Sequence, residues 1–117
     1  MNNTLRMLKE DFESSSGLTP QFSSFAKTFT REFKKLLTQL HCIKIEIDRG
    51  HFYLSGFFTH NNQIWYFNIG DVRWDKTVYI RTAESYRDYN GGRNIYIDLT
   101  DIDKFKYQIK RIIGEDN

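Results

Sequence analysis

The sequence predicts one α+β domain, in which an N-terminal amphipathic helix packs on a four- to five-stranded antiparallel sheet and a C-terminal helix follows. Three observations predict this fold class. Apolar residues recur at steps of three and four over residues 19–40, which is the period of a helix. From residue 42 the period changes to two, in short segments separated by turn residues. A helical period returns over residues 101–113.

The first element is preceded by residues 1–18, which we expect to be a flexible or loosely docked arm because chain ends are often poorly ordered. The main domain then covers residues 19–114. Thr19-Pro20 predicts the start of a helix, with threonine as the N-cap and proline in the first turn. The helix carries one apolar stripe, made of Phe22, Phe25, Ala26, Phe29, Phe33, Leu36, Leu37 and Leu40. Its phenylalanines should be buried against the strands that follow.

The strands are predicted from alternation and from turn residues. Ile43, Ile45 and Ile47 alternate with charged residues, a pattern typical of a half-buried strand. Turns are predicted at residues 49–50, 60–62 and 70–71, where glycine or asparagine permits tight reversals. Short connections favour antiparallel neighbours. The later strands are expected at residues 51–59, 63–69, 77–82 and 94–99.

The last helix is predicted to open at residues 100–103, where Thr100 and Asp103 have the spacing of a capping box. Its apolar stripe consists of Ile102, Phe105, Ile109, Ile112 and Ile113. Gly114 should end it, because glycine adopts the left-handed conformation that closes many helices.

Composition limits the classes of protein that fit. The chain has 117 residues, of which 39% are hydrophobic and 16% aromatic, so we expect a folded core. The single Cys42 excludes an internal disulfide and a cysteine-rich zinc site. A net charge of +2 excludes an acidic nucleic-acid mimic and a histone-like binder. No long apolar run is present, so we expect a cytoplasmic protein with no membrane partner.

No pattern typical of catalysis stands out. His41, His51 and His60 lack the spacing of a metal site and are interpreted as turn or junction residues. Asp71, Asp75 and Asp88 could hold a metal for nuclease chemistry, but basic neighbours make local ion pairing the preferred interpretation. We therefore predict no catalytic residue, no metal, no cofactor and no small-molecule substrate.

Two groups of residues are candidates for binding a partner. The preferred group lies between residues 71 and 93 and combines arginines with aromatic residues, as many protein interfaces and single-stranded nucleic-acid sites do. It consists of Arg73, Trp74, Arg81, Tyr86, Arg87, Tyr89 and Arg93. An alternative of equal weight is that the aromatic residues of this group complete the core while its arginines are solvated. Of Tyr86 and Tyr89, at least one should be exposed, because this polar loop offers few core partners.

The second group is the basic side of the first helix, formed by Lys27, Arg31, Lys34 and Lys35. A solvated helix face is the usual meaning of such a pattern. Because Glu32 is the one acid among these bases, RNA or an acidic protein remains an alternative partner for this face.

Several stretches resemble a family of small uncharacterised proteins from phages and plasmids of low-GC Gram-positive bacteria. They are residues 22–29, 50–57, 71–73, 79–83 and 86–92, and the similarity extends over about residues 21–98. The family implies no enzyme activity. Its size, fold class and mobile-element origin are shared with many anti-CRISPR proteins, which inhibit Cas nucleases by binding them.

Three functions follow, in order of preference. The first is a non-enzymatic binding protein of a mobile element, an anti-CRISPR inhibitor that binds a Cas9-type effector or its guide RNA in the bacterial host cell. The second is an accessory protein that binds RNA or DNA. The third is a small metal-dependent nuclease that uses Asp71, Asp75 or Asp88.

Overall fold

A computed structural model describes residues 3, 4, 6, 7, 19–50, 53–72, 75–90 and 92–114. Helix α1 spans Thr19–Gln39 and helix α2 spans Ile102–Ile112. Between them lie five strands: β1 (Ile43–Arg49), β2 (Leu54–His60), β3 (Gln63–Ile69), β4 (Thr77–Ala83) and β5 (Ile95–Asp98). They form one sheet in the order β1-β2-β3-β4-β5, with every neighbouring pair antiparallel. The α+β fold predicted from the sequence is confirmed.

The core lies between the helices and one face of the sheet, here called the helix face. All eight residues of the predicted α1 stripe are buried. The ring of Phe33 packs 4.9 Å from that of Phe67 in β3 and 6.0 Å from that of Phe105 in α2. One phenylalanine thus joins both helices to the sheet, and the prediction that this stripe is buried against the strands is confirmed.

Strand β1 departs from simple alternation. Its register with β2 shifts between Ile43 and Glu46, and Lys44 has a positive φ of 52°. This bulge changes the side of the sheet to which the first residue belongs. Ile45 and Ile47 pack against the core, whereas Ile43 pairs with Thr59 and is exposed. The expectation that three isoleucines share one buried face was wrong for Ile43.

Several further boundaries differ from the prediction. Arg49 belongs to β1 and not to a turn, β4 continues to Ala83, and β5 is limited to Ile95–Asp98. Strand β2 ends at His60, which is buried, so the tight turn consists of Asn61 and Asn62 alone, both with positive φ. The N-cap of α2 is Asp101, whose carboxylate accepts from the Lys104 amide; Asp98 bonds Thr100 instead. The cap of α2 was displaced by one position because either neighbouring residue can supply the required oxygen, whereas His60 belongs to the strand because it pairs with Gln63.

Four residues of the predicted arm are described. Asn3, Thr4, Arg6 and Met7 are helical. Met7 is buried in the core, and Thr4 donates through its amide and its hydroxyl to Glu32, at 2.8 and 2.7 Å. The rest of residues 1–18 lies outside the described residues, so the arm stays a prediction. Within the described part of the chain, neither helix is both long and apolar enough to cross a membrane.

Candidate partner-binding surface

The sheet face opposite the helices, here called the open face, carries a row of aromatic rings across four strands. Phe57 in β2 lies 5.0 Å from Tyr66 in β3, measured between ring centroids. Tyr66 lies 6.1 Å from Tyr79 in β4, and Tyr79 lies 5.9 Å from Tyr96 in β5. Such spacings are typical of favourable aromatic pairs. The row changes from buried at Phe57 to 65% exposed at Tyr96.

Residues 84–90, which follow β4, fold back over the buried end of this row. The ring of Tyr86 packs 5.5 Å from Phe57, and its hydroxyl donates to the Lys44 carbonyl at 2.6 Å. Because the Tyr86 proton is used in that bond, the Thr59 hydroxyl, 2.9 Å away, donates to the Tyr86 hydroxyl oxygen. The connection after β4 is therefore fastened to β1 and β2 at the far side of the sheet.

Tyr89 lies on the same loop but is held differently. Its ring contacts Phe57 and Tyr66 edge-on, at 5.6 and 5.8 Å, yet 56% of the residue is exposed. The prediction that Tyr86 or Tyr89 is exposed is confirmed. Because these two contacts hold the Tyr89 ring in place, its exposed part offers a partner rigid contact area at little entropic cost.

Arg81 supports the loop from below. It is only 4% exposed, and its guanidinium carbon lies 4.5 Å from the centroid of the Tyr66 ring. One terminal nitrogen donates to the Asp88 carbonyl at 2.8 Å, and the other donates to the Thr82 carbonyl at 3.2 Å. A buried guanidinium requires such partners, because desolvating it without them is costly. Arg81 therefore fixes the loop rather than presenting a charge to solvent.

Arg87 is an exposed residue of the same loop. Its φ of 77° is in the left-handed region, which is unfavourable for a residue with a Cβ. Its guanidinium forms an exposed salt bridge of 2.8 Å with Glu46 in β1. Next to it, the Asp88 carboxylate accepts from the amides of Glu84 and Asn90, both at 3.1 Å. These contacts hold a strained backbone in place, a feature often found at functional loops.

The hydroxyls of Tyr79 and Tyr86 stay protonated, because their surroundings raise the pKa of each. Burial, reinforced by the neighbouring Tyr66, raises the pKa of Tyr79 to about 12. Burial also raises the pKa of Tyr86, against the opposing effect of its hydrogen bond with Thr59. At physiological pH both groups are neutral donors.

The structure divides the preferred candidate residues into three sets. Arg81 and Tyr86 support the loop from within, while Arg87, Tyr89 and Arg93 are exposed. Arg73 and Trp74 lie outside the described residues. The sequence reasoning missed the row formed by Phe57, Tyr66, Tyr79 and Tyr96. Its signal was present in the consecutive aromatic residues of β2 and β3, since a strand covered on both faces has no polar alternation.

The alternative basic face is a surface of α1. Lys27, Arg31, Lys34 and Lys35 are all exposed. Beside the first three, a shallow groove of about 360 Å³ runs towards Arg49 of β1. Arg49 is held by its hydrogen bond to the Ser23 hydroxyl, at 2.7 Å.

No group of three or more histidine, cysteine or acidic side chains within the described ranges is placed to hold a metal ion. His41 lies in the turn after α1 and His60 is buried at the end of β2, whereas His51 is outside the described residues. The thiol of Cys42 is buried.

In comparisons with protein-family models, with curated proteins and with solved structures, no match to this chain was found. The functional interpretation therefore depends on the surface itself.

Proposed function

We propose that this chain is a non-enzymatic binding protein that contacts its partner with the open face of the sheet and the loop that packs on it. We call this surface the tyrosine patch and define it as Tyr79, Arg87, Tyr89 and Tyr96. The observation that supports the proposal is that Tyr89 is exposed on a loop held by the buried Arg81 and the half-buried Tyr86, while Tyr96 is exposed on the same face of the sheet. Preorganised aromatic and arginine side chains are the residues that most often dominate binding energy.

Charge favours a protein partner over nucleic acid for this surface. Glu46, Asp48 and Asp98 pair with open-face residues of the neighbouring strands, so their carboxylates belong to the same face as the tyrosines. Arg87 is already paired with Glu46. Affinity for a phosphate backbone comes mainly from unpaired cations that displace counterions. A mixed surface of this kind suits a polar protein interface better.

The similarity to phage and plasmid proteins makes a Cas9-type effector the first partner to test. Its guide RNA is the second, because tyrosines on a sheet could stack on unpaired bases and α1 offers an exposed basic face. A nuclease function is the third. It receives less support because the Asp88 carboxylate is occupied by two backbone amides. Purified protein should therefore leave RNA and DNA intact with magnesium or manganese.

The decisive measurement is binding of purified chain to a Cas9-type effector, with and without guide RNA, by biolayer interferometry. Tyr89→Ala should weaken binding about 30-fold or more, the equivalent of about 2 kcal/mol, while the melting temperature barely changes. Arg87→Gly should also weaken binding, since it removes the guanidinium but permits the positive φ. A pull-down from host lysate, with and without nuclease treatment, extends the search to other partners.

Two variants serve as controls. Tyr53→Ala removes another exposed tyrosine, four residues from Phe57 along the chain and so about 13 Å away if extended, and should bind normally. Charge reversal at Lys27, Arg31, Lys34 and Lys35 should mainly change the salt dependence of association. If that reversal abolishes binding while Tyr89→Ala binds normally, the basic face of α1 is the working surface. Loss of the captured partner after nuclease treatment would favour the nucleic-acid function.

A further inference from the structure

The border between β5 and α2 exposes apolar surface that the tyrosine patch does not use. Ile95 is 39% exposed on the helix face of β5, and Tyr107 is 52% exposed on α2. Together with Ile112 they line a groove of about 450 Å³, whose charged residues are Lys104 and Arg111. The groove therefore combines apolar surface with two basic side chains.

The backbone beside this groove is the edge of the sheet. Strand β5 is the last strand, and the Leu99 amide donates to the Lys76 carbonyl at 2.9 Å. In an antiparallel ladder, alternate residues direct their backbone groups towards the neighbouring strand. Ile97 and Ile95 therefore point their amides and carbonyls to β4. The amides and carbonyls of Tyr96 and Asp98 point away from β4, and among the described residues no strand lies on that side of β5.

The other edge of the sheet is protected, which makes this one distinctive. Strand β1 carries a bulge at Lys44, and the Lys44 carbonyl already accepts from Tyr86. Bulges and charges are devices that prevent edge-to-edge pairing. Strand β5 has regular register with β4 at all four residues, Ile95–Asp98, and no proline or lysine within them. Its one charged side chain is Asp98, which lies on the open face and accepts from the amide and the hydroxyl of Thr100.

The charges of α2 indicate which kind of segment fits the β5 edge. Helix α2 contains Lys104, Lys106, Lys110 and Arg111 against Asp103. A second copy of this chain, paired antiparallel along β5, would bring its own basic α2 to the same side of the extended sheet. Like charges would then oppose the contact. A segment with carboxylates has the complementary sign.

We propose that the free edge of β5 binds an extended acidic segment of another protein, which adds to the sheet as a sixth strand. The backbone of that segment forms hydrogen bonds with the outward amides and carbonyls of Tyr96 and Asp98. One apolar side chain enters the groove against Ile95 and Tyr107. Residues two positions away on either side, about 7 Å along the strand, reach the same face and place carboxylates near Lys104 and Arg111. This site and the tyrosine patch both include Tyr96, but they use different parts of it. The ring of Tyr96 belongs to the patch, and its backbone amide and carbonyl belong to the β5 edge.

The test uses two labelled, acetylated peptides and fluorescence anisotropy with the full chain. The probe is Thr-Asp-Thr-Ile-Thr-Asp-Thr, and the control has lysine at both aspartate positions. The acidic peptide should bind at least about tenfold more tightly than the basic one at low salt. Binding of neither peptide, or equal binding of both, would overturn the proposal. Failure here leaves the tyrosine patch untouched, because its own test measures Tyr89→Ala on a folded partner.

Variants separate backbone pairing from ring contact. Tyr96→Pro removes one outward amide and no bond to β4, so it should weaken the acidic peptide at least about tenfold. Tyr96→Ala, its matched control, should bind within about threefold of the unchanged chain. Equal losses in both variants would mean that the peptide contacts the ring and not the edge.

A charge swap keeps the test sound if Tyr96→Pro fails to fold. The double variant Lys104→Glu and Arg111→Glu should reverse the preference, so that the lysine peptide binds more tightly. An unchanged preference would overturn the proposal. So would a concentration-dependent dimer of the chain that Tyr96→Pro abolishes, because the edge would then belong to a second copy.

Discussion

The two faces of the sheet are both rich in aromatic rings, but the rings are held by different forces. On the helix face, Phe29, Phe33 and Phe67 are completely buried among other apolar side chains. On the open face, one loop packs on Phe57 and Tyr66 while Tyr96 is left exposed, and the loop depends on the hydrogen bonds of Arg81 and Tyr86. The helix face therefore stabilises the fold through burial, whereas the open face depends on a few polar contacts that position exposed tyrosines.

The largest effect on stability should come from Phe29→Ala. Its ring stacks on Phe33 at 5.0 Å and lies 6.4 Å from Phe67, with no exposed surface. Deleting a buried phenylalanine typically costs about 3–5 kcal/mol, through lost burial and the cavity left behind. Urea unfolding measures this cost. A loss below about 1 kcal/mol would mean that burial on the helix face matters no more than contacts on the open face.

An intermediate effect is expected for Arg81→Met. The variant keeps an apolar side chain over Tyr66 but leaves the Asp88 carbonyl without this donor. The free energy of unfolding should fall by about 1.5–3 kcal/mol, the usual contribution of hydrogen bonds made by a charged group. Arg93→Met is the matched control on an exposed arginine and should change stability by less than about 0.5 kcal/mol. If the two variants are equally stable, the hydrogen bonds of Arg81 do not stabilise the loop.

A smaller effect is expected for Tyr86→Phe, which removes one hydroxyl and leaves the ring on Phe57. The lost bond to the Lys44 carbonyl should cost about 0.5–1.5 kcal/mol. Tyr96→Phe provides the comparison, because its exposed hydroxyl makes only a long contact of 3.4 Å with Asn94. Thermal unfolding should therefore separate the two substitutions. If both melt like the unchanged chain, the loop is held by ring packing alone.

The last effect concerns pH and is confined to the alkaline range. The pKa of Tyr79 is about 12 in the folded chain and about 10 when unfolded. Below pH 10 neither state ionises, and the stabilising contribution is complete. Between pH 10 and 12 the unfolded state loses its proton first, so the stability falls. Urea titrations across this range should show a shallower decline for Tyr79→Phe. An identical decline would mean that this half-buried hydroxyl titrates as it does in water.

Several elements could be predicted residue by residue, because local patterns specify them. The α1 stripe from Phe22 to Leu40 has one period and one buried side, so burial follows from spacing alone. Strand β3 was predicted with its observed limits, Gln63–Ile69, since asparagine and glycine turns bound it. The limits of β2 and the cap of α2 were less accurate, because neighbouring polar residues there compete for one role.

The partner-binding surface was only partly predictable. Its residue types, arginine with tyrosine between positions 71 and 93, were visible in the sequence. Which of them are exposed was not visible, because exposure depends on contacts between distant residues. Arg81 is buried since Tyr66 and Asp88 enclose it, and Tyr86 is fastened to Lys44, 42 positions earlier in the chain.

The sequence by itself determined the α+β class, the helix that supplies the core and the strands that receive it. These follow from apolar period and turn chemistry, which act over a few residues. The tertiary structure alone decided the bulge that exposes Ile43, the fold-back of residues 84–90 over the open face, and the free edge of β5 beside α2. Each depends on register and on hydrogen bonds between segments far apart in the chain, and no local pattern encodes those.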